Sequence, residues 1–261
     1  LAETQAEQGK TALAEKTAEQ ALSLRQAKNR SQLNERRALA MELWQRGRPD
    51  WAKREFRYVL DNGAKGDIVT ILTQHSYARM LHDRGEVREA AEVLKELVDH
   101  FAKNPDAAEQ MGIDSKATSA RMHYFYACHY QTLKDYAKQR EHLDKALADD
   151  PDELDALIAR YHLPDQSDEY RRKTMEMIQA AVDSLRDIIA GDPEEAAWYN
   201  QLAWLVGNTE GDLDEALKCS QKSLELSPNE GAYYDTLAHV YFAIKDYANA
   251  VKFQKKAVEQ D

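Results

Sequence analysis

Pairs of alanines separated by twelve positions recur along this chain and restrict how it can fold. The pairs are Ala40 and Ala52, Ala78 and Ala90, and Ala238 and Ala250. A turn-forming segment lies between the members of each pair, and strong helix formers dominate the flanks. Two antiparallel helices joined by a tight turn approach closely only where small side chains leave room for larger apolar neighbours. The spacing therefore predicts a series of helical hairpins.

A repeated tetrapeptide fixes the register of these hairpins. Lys-Asp-Tyr-Ala occurs at 134–137 and at 245–248, 111 positions apart, which is three periods of 37. Alignment on this turn brings out a shared pattern in the preceding helix: Arg36-x2-Leu39-Ala40, Gln74-x2-Tyr77-Ala78, His123-x2-Tyr126-Ala127, Tyr199-x2-Leu202-Ala203 and Tyr234-x2-Leu237-Ala238. Two departures occur. Ala203 and Ala216 lie thirteen apart, and Gln139 stands where the partner of Ala127 is expected.

The amino-acid composition agrees with an all-helical chain and argues against two classes of protein, nucleic-acid-binding and membrane-spanning. The 261 residues include only 10 glycines and 6 prolines, and no alternating β-branched run reads as a strand. The formal net charge of −11 argues against a nucleic-acid-binding surface as the main function. No apolar run approaches the length of a membrane span. The chain begins at Leu1 without a signal-peptide pattern, so we expect a fragment or processed form, and the sequence does not indicate a compartment.

The hairpin pattern resembles the tetratricopeptide repeat, a helix–turn–helix unit of about 34 residues. The resemblance implies an all-α fold, an α-α superhelix or right-handed solenoid of about six hairpins, preceded by an N-terminal helix. It divides the chain into an N-terminal segment, 1–30, and a repeat domain, 31–261. The expected repeats lie near 33–62, 71–105, 120–151, 152–193, 196–228 and 231–261. The fourth is irregular, because it has the right length without the motif.

Residues 1–30 have helical propensity but only a weak apolar stripe. They are interpreted as a helix packing on the first repeat or as the second helix of an incomplete repeat. A coiled-coil dimerisation segment is the alternative, and the heptad through Leu13, Gln20 and Ala27 supports it poorly.

Motifs that carry chemistry are incomplete. Gly9-Lys10-Thr11 lacks the second glycine and the preceding strand of a phosphate-binding loop. His75 and His82, seven apart on one helix, lie too far apart to share a metal ion, and the acidic run 149–155 is explained by helix capping. We therefore predict no catalytic residues, no metal and no cofactor, and a protein that is not an enzyme.

The resemblance implies a non-enzymatic protein–protein interaction scaffold whose concave groove, lined by the first helix of each hairpin, holds a peptide. The predicted groove residues are Arg37, Trp44, His75, Arg79, His82, Arg121, Tyr124, Asn200, Trp204, His239 and Phe242. The basic residues favour an acidic segment or a terminal carboxylate as ligand. The alternative is a solvated face with intramolecular ion pairs. Some family members clamp a terminal carboxylate with lysine, arginine and asparagine, but the asparagines are missing at the matching positions here.

Self-association, as the oligomerisation module of a larger multidomain protein, is the alternative function. The chain stops one residue short of the proline that would end the last repeat, and no polar capping helix follows. We therefore expect either a longer native chain or a homo-oligomer. The expected partner is otherwise a protein or peptide, with no nucleic acid involved.

Overall fold

A computed structural model describes residues 1–24, 26–164 and 166–260. Over these residues the chain forms fifteen α-helices and no β-strand, which confirms the all-α prediction. The helices are α1 (Ala2–Glu7), α2 (Thr11–Leu24), α3 (Arg30–Gln45), α4 (Pro49–Asn62), α5 (Ile68–Asp83), α6 (Val87–Lys103), α7 (Pro105–Gln110), α8 (Ser115–Thr132), α9 (Tyr136–Asp149), α10 (Leu154–Tyr161), α11 (Asp168–Gly191), α12 (Ala196–Gly207), α13 (Leu213–Leu226), α14 (Gly231–Ala243) and α15 (Tyr247–Gln260).

The helices belong to two compact units. Unit 1 is Leu1–Thr118 and unit 2 is Ser119–Asp261, so the division falls inside α8. In unit 1, α3 pairs with α4 and α5 pairs with α6, and α5 also packs on both α3 and α4. In unit 2, the pairs are α10 with α11, α12 with α13 and α14 with α15, while α9 packs on α10. Sequence-adjacent helices thus form the basic pairs of each unit.

Alanines fill the crossing points of the helical hairpins. All of the spaced alanines are at most 7% exposed: Ala40, Ala52, Ala78, Ala90, Ala203, Ala216, Ala238 and Ala250. Ala127 is buried too, and its unusual partner Gln139 is only 2% exposed. A larger side chain at one of these points would push the helices apart, because protein interiors contain few voids.

The turns inside the hairpins end the first helix in a common way. Gly47, Gly85, Lys134 and Lys245 all have positive φ angles, between 56° and 76°. At the last of these, the N–H of Lys245 donates to the carbonyl of Phe242 and the N–H of Asp246 donates to the carbonyl of Tyr241. This pair of hydrogen bonds is the Schellman motif, which usually places glycine at the left-handed position. The two lysines therefore adopt a conformation that costs a side-chain-bearing residue about 1–2 kcal/mol.

The aspartate of each repeated tetrapeptide begins the second helix. The Asp135 carboxylate accepts a hydrogen bond from the N–H of Lys138, and the Asp246 carboxylate accepts one from the N–H of Asn249. Both are N-cap bonds that satisfy an otherwise unpaired backbone donor. The Lys-Asp dipeptide thus ends one helix and starts the next.

A second set of side chains bridges the two helices of several hairpins. We name these facing pairs: the two residues lie nineteen positions apart, one on each helix. They are Arg36 and Glu55, Gln74 and Val93, His123 and His142, and Tyr234 and Phe253. Arg36 and Glu55 form a buried ion pair of 2.6 Å, and the side chain of Gln74 donates to the backbone carbonyl of Val93 at 3.4 Å. The ring nitrogens of His123 and His142 lie 3.0 Å apart, and the stacked rings of Tyr234 and Phe253 have centroids 6.3 Å apart. The hairpin geometry thus accommodates very different chemistry at this position.

The N-terminal segment contributes two helices, α1 and α2. Glu15 of α2 accepts a 2.6 Å hydrogen bond from the indole of Trp51 and pairs with Arg54 at 2.7 Å. The guanidinium of Arg36 also donates to the carbonyl of Leu22 at 2.7 Å. The segment therefore packs on the first hairpin, α3 and α4.

Two elements depart from a regular series of hairpins. The short helix α7, which the sequence analysis did not predict, buries Ala108 against Ile71, Leu97 and Phe101. The expected irregular hairpin has a first helix of eight residues, α10, and a second of 24, α11. One apolar side chain of α11, Ile188, is 37% exposed. Neither α11 nor any other helix in the described ranges is both long and apolar enough to cross a membrane.

The left-handed lysines lead to a prediction about stability. We expect Lys245→Gly to raise the free energy of unfolding by about 0.5–1 kcal/mol, because glycine adopts positive φ without steric cost. The matched control is Gly85→Ala, where an added Cβ would meet no atom within 4 Å. It should lower the free energy of unfolding by about 1 kcal/mol through backbone strain alone. Urea denaturation followed by circular dichroism measures both, and changes of the same sign would contradict the assignment.

Candidate functional site

In unit 1, the first helices of two hairpins bring two predicted groove residues together. The guanidinium carbon of Arg79, on α5, lies 5.0 Å from the ring centroid of Trp44, on α3. This is a cation–π contact, and it leaves Arg79 exposed. Trp44 is half-buried, so its ring forms a platform that holds the guanidinium in place. We name Trp44, Arg79 and Arg37 the basic surface of unit 1.

The other predicted residues of unit 1 have more local contacts. Arg37 is half-buried, and its Nε donates to the side chain of Asn34 at 3.2 Å. The Nδ1 of His82 lies 3.4 Å from the Asp83 carboxylate, one residue along the chain. His75 is half-buried on α5. Of the three predicted groove arginines, Arg37 and Arg79 thus belong to unit 1.

Arg121 belongs to unit 2, where its charge is already offset. Its guanidinium lies 2.9 Å from the Asp155 carboxylate and 3.1 Å from that of Glu153. Burial disfavours the charged guanidinium, but these two carboxylates outweigh burial and raise the pKa of Arg121. For Arg121, the structure therefore shows the intramolecular pairing that the sequence analysis held as the alternative.

Asp155 connects two predicted residues that lie far apart in sequence. One carboxylate oxygen pairs with Arg121, and the other accepts a 3.0 Å hydrogen bond from the indole N–H of Trp204. Together they line a cleft of about 380 Å³. Because three of its lining residues are aspartates, we name it the acidic cleft; its walls are Arg121, Asp152, Leu154, Asp155, Asn200, Gln201, Trp204, Ala232, Asp235 and Thr236.

Two more predicted residues lie at or beside the acidic cleft. Asn200 lines it and is half-buried. The ring of Tyr124 lies 5.7 Å from the guanidinium of Arg121. Burial raises the pKa of the Tyr124 hydroxyl, so this group stays protonated at neutral pH. Both can act as hydrogen-bonding groups beside the charged residues.

A second cleft in unit 2 is larger and mainly apolar. Its volume is about 660 Å³, and we name it the apolar cleft; its walls are Tyr161, His162, Gly207, Asn208, Thr209, Ala238, His239, Phe242, Ala243, Ala250, Val251 and Gln254. It contains the two remaining predicted residues, His239 and Phe242. The Phe242 side chain is 65% exposed, which is unusual for so large an apolar group.

His239 joins the apolar cleft to the acidic cleft. Its ring meets that of Trp204 edge to face at a centroid distance of 5.0 Å, and its Nδ1 donates to the side-chain oxygen of Asn208 at 3.1 Å. The carbonyl of Asn208 in turn accepts a 2.8 Å hydrogen bond from His162. A ligand in either cleft would therefore meet side chains that their neighbours already hold in one orientation.

The sequence analysis missed Asp155 and Asn208, the two residues that orient the predicted ones. Asp155 falls in an acidic run that capping explained, and Asn208 lies in the loop after α12. Their predicted partners, Trp204 for Asp155 and His239 for Asn208, are 49 and 31 positions away. The sequence held one signal for them: Arg121, Trp204 and His239 occupy outward-facing positions on first helices, and polar partners could therefore lie between these side chains.

Comparison with known families identifies the last two hairpins. A model described as "Tetratricopeptide repeat" matches residues 198–230 and 232–261, which correspond to α12 with α13 and to α14 with α15. These hairpins are tetratricopeptide repeats, as their sequence pattern predicted. The chain is thus a helical-repeat protein with repeats of a kind that generally serves protein–protein interaction. No curated protein sequence matches the chain significantly.

Solved structures show more distant similarity. A structure described as "Crystal structure of MamA protein" covers 87% of this chain and 91% of its own, at 17% identity and a TM-score of 0.35. One of MamA from Desulfovibrio magneticus RS-1 covers 87% and 94%, at 16% identity and a TM-score of 0.32. YrrB, described as a TPR protein with an unusual peptide-binding site, covers 79% and 92%, at 18% identity and a TM-score of 0.31. Similarity at this level carries no inference about function.

The position of Asp155 leads to a prediction about the acidic cleft. We expect Asp155→Asn to lower the free energy of unfolding by about 1 kcal/mol, because the amide keeps an acceptor for Trp204 but loses the charge opposite Arg121. Urea denaturation measures the loss, and near-ultraviolet circular dichroism reports the surroundings of the indole. Asp152→Asn is the matched control, since it removes the same charge from an exposed residue of the same cleft. Equal effects of the two substitutions would contradict the bridging role of Asp155.

Proposed function

We propose that the protein is a non-enzymatic scaffold that binds peptide segments of other proteins on surfaces to which the first helices of its hairpins contribute. The apolar cleft is the observation that carries the proposal. The cleft has a volume of about 660 Å³, and its walls include the exposed Phe242 and His239, which a hydrogen bond to Asn208 orients. Apolar walls with a few fixed polar groups are typical of ligand sites, and aromatic residues are enriched among interface hot spots. The fitting ligand is a peptide that inserts an apolar side chain.

The basic surface of unit 1 favours an acidic segment. Arg79 is exposed and oriented by Trp44, and Arg37 lies on the neighbouring first helix. A guanidinium matches a carboxylate with two parallel hydrogen bonds, which favours Asp, Glu or a terminal carboxylate in the ligand. We therefore propose two contact regions of different chemistry, one in each unit.

A peptide array tests both regions. Acidic peptides that bind the wild-type protein should bind Arg79→Glu about tenfold more weakly, because a like charge replaces the paired one. Peptides that carry a large apolar residue should instead lose affinity for Phe242→Ala. Fluorescence anisotropy of labelled peptides gives the dissociation constants for each variant.

Controls separate charge at the proposed site from charge in general. Arg88→Glu makes the same change at an exposed residue on α6, the second helix of the same hairpin, and should leave affinity unchanged. Amidation of the peptide C-terminus distinguishes a terminal carboxylate from acidic side chains. Equal loss in Arg88→Glu and Arg79→Glu would refute the acidic contact region, and unchanged binding in Phe242→Ala would refute the apolar one.

Self-association is a second candidate function, and the surface of α15 favours it. Tyr247, Val251 and Val258 are 55%, 55% and 71% exposed. Their spacing places them on one face of the helix, where they form an apolar stripe. An exposed apolar stripe on a repeat helix is a surface that another copy could cover.

Sedimentation velocity over a range of concentrations tests this alternative. If the stripe mediates self-association, Val258→Glu should weaken the dimer at least tenfold, because it would bury an unpaired charge. Val258 does not line the apolar cleft, so peptide binding should persist. Gln260→Glu, exposed on the same helix, adds the same charge away from the stripe and serves as control. A wild-type protein that stays monomeric at every concentration would eliminate this function.

A further inference from the structure

Two histidines meet across the first hairpin of unit 2. His123 on α8 and His142 on α9 place their Nδ1 atoms 3.0 Å apart, with ring centroids at 5.1 Å. Both side chains are half-buried, so small solutes can reach them. At this distance the two Nδ1 atoms share one hydrogen bond when both rings are neutral, so an ion bound by both nitrogens must displace that proton or move it to Nε2 of the same ring.

The fold does not need histidines here. His123 and His142 are a facing pair, and the equivalent pair in the last hairpin is Tyr234 and Phe253, whose stacked rings carry no contact between nitrogens. The third ring is also equivalent: Tyr130 stacks on His142 at 5.3 Å, and Tyr241 stacks on Phe253 at the same distance. In these two hairpins the position is therefore filled by rings that pack in the same way. Two imidazoles supply a chemistry that packing does not explain.

The charged groups around the pair are two carboxylates and one ammonium, so their net negative charge favours a cation. Burial lowers the pKa of His123, and burial together with the neighbouring His123 lowers the pKa of His142 to about 4. Glu141, Lys145 and Asp149 are the charged groups that act on this pair. The Lys145 ammonium is paired with Glu141 at 2.6 Å, so its repulsion of a cation is reduced.

We propose that His123 and His142 form a site for one divalent transition-metal ion, Ni²⁺ or Cu²⁺, that joins α8 to α9. Two nitrogens 3.0 Å apart, each about 2.05 Å from a metal ion, subtend an angle of about 95° at the ion. This is close to the right angle between neighbouring ligands in octahedral and tetragonal sites, which Ni²⁺ and Cu²⁺ prefer.

The site has two protein ligands. Among the described residues, no group of three or more His, Cys, Asp or Glu side chains is arranged to hold a metal ion. Water or a ligand side chain from another molecule fills the remaining coordination positions. The sequence analysis found no metal site because it compared histidines within one helix, whereas this pair spans the turn between two helices.

Metal titration of the untagged, chelator-treated protein tests the proposal. Isothermal titration with Ni²⁺ or Cu²⁺ should show one equivalent bound, and thermal unfolding should shift to higher temperature as the ion concentration rises. The informative variant is His123→Tyr with His142→Phe, which installs the rings of the last hairpin. It should keep the helical circular dichroism spectrum and bind either ion at least tenfold more weakly.

Two single variants complete the design. His142→Gln should no longer bind one equivalent of the ion tightly, and its unfolding temperature should not rise with ion concentration. This variant keeps the proposal testable if the double variant fails to fold. His129→Gln, also on α8, should bind as the wild type does. Electron paramagnetic resonance of the Cu²⁺ complex should show two imidazole nitrogens. The proposal is overturned if the wild type binds no ion at micromolar concentrations, or if His142→Gln binds as tightly as the wild type.

Discussion

The close approach of two helices at a pair of small residues is the constraint on which the rest of this structure depends. The alanines of the first two pairs are fully buried, so a larger side chain there would have to displace its packed neighbours. The crossing fixes the rotation of each helix about its own axis. That rotation decides which side chains face the core and which face outward. Every surface described above follows from it.

Much of this arrangement is encoded locally and could be predicted. The twelve-residue spacing, the positive-φ turn and the capping aspartate act within a few residues of one another, so the sequence displays them directly. The hairpins built on Gly47, Gly85 and the two Lys-Asp turns follow from such local rules. Helix α7 could not be predicted in this way, because its short sequence is helical only where Ala108 packs against Phe101 and its neighbours.

The candidate sites depend on contacts that the sequence does not display. The pairing of Arg121 with Asp155 and the bond from Trp204 to Asp155 join residues of different hairpins, 34 and 49 positions apart. Alignment of the first helices could place Arg121 on an outward face, but it could not reveal that two carboxylates lie beside it. An arginine on such a face can bind an acidic ligand only when no neighbouring carboxylate offsets its charge. Arg79 fits this condition in its contact with Trp44, because the indole is neutral.

The facing pairs show how one fold position can carry different chemistry. Steric demands at these positions are similar in each hairpin, since the same crossing sets the separation of the helices. An ion pair satisfies them between α3 and α4, and stacked rings satisfy them between α14 and α15. The buried ion pair contributes little net stability over an apolar pair, because desolvation offsets most of its attraction. Polar groups at such positions therefore need a reason other than stability, and the metal site proposed for His123 and His142 would be one.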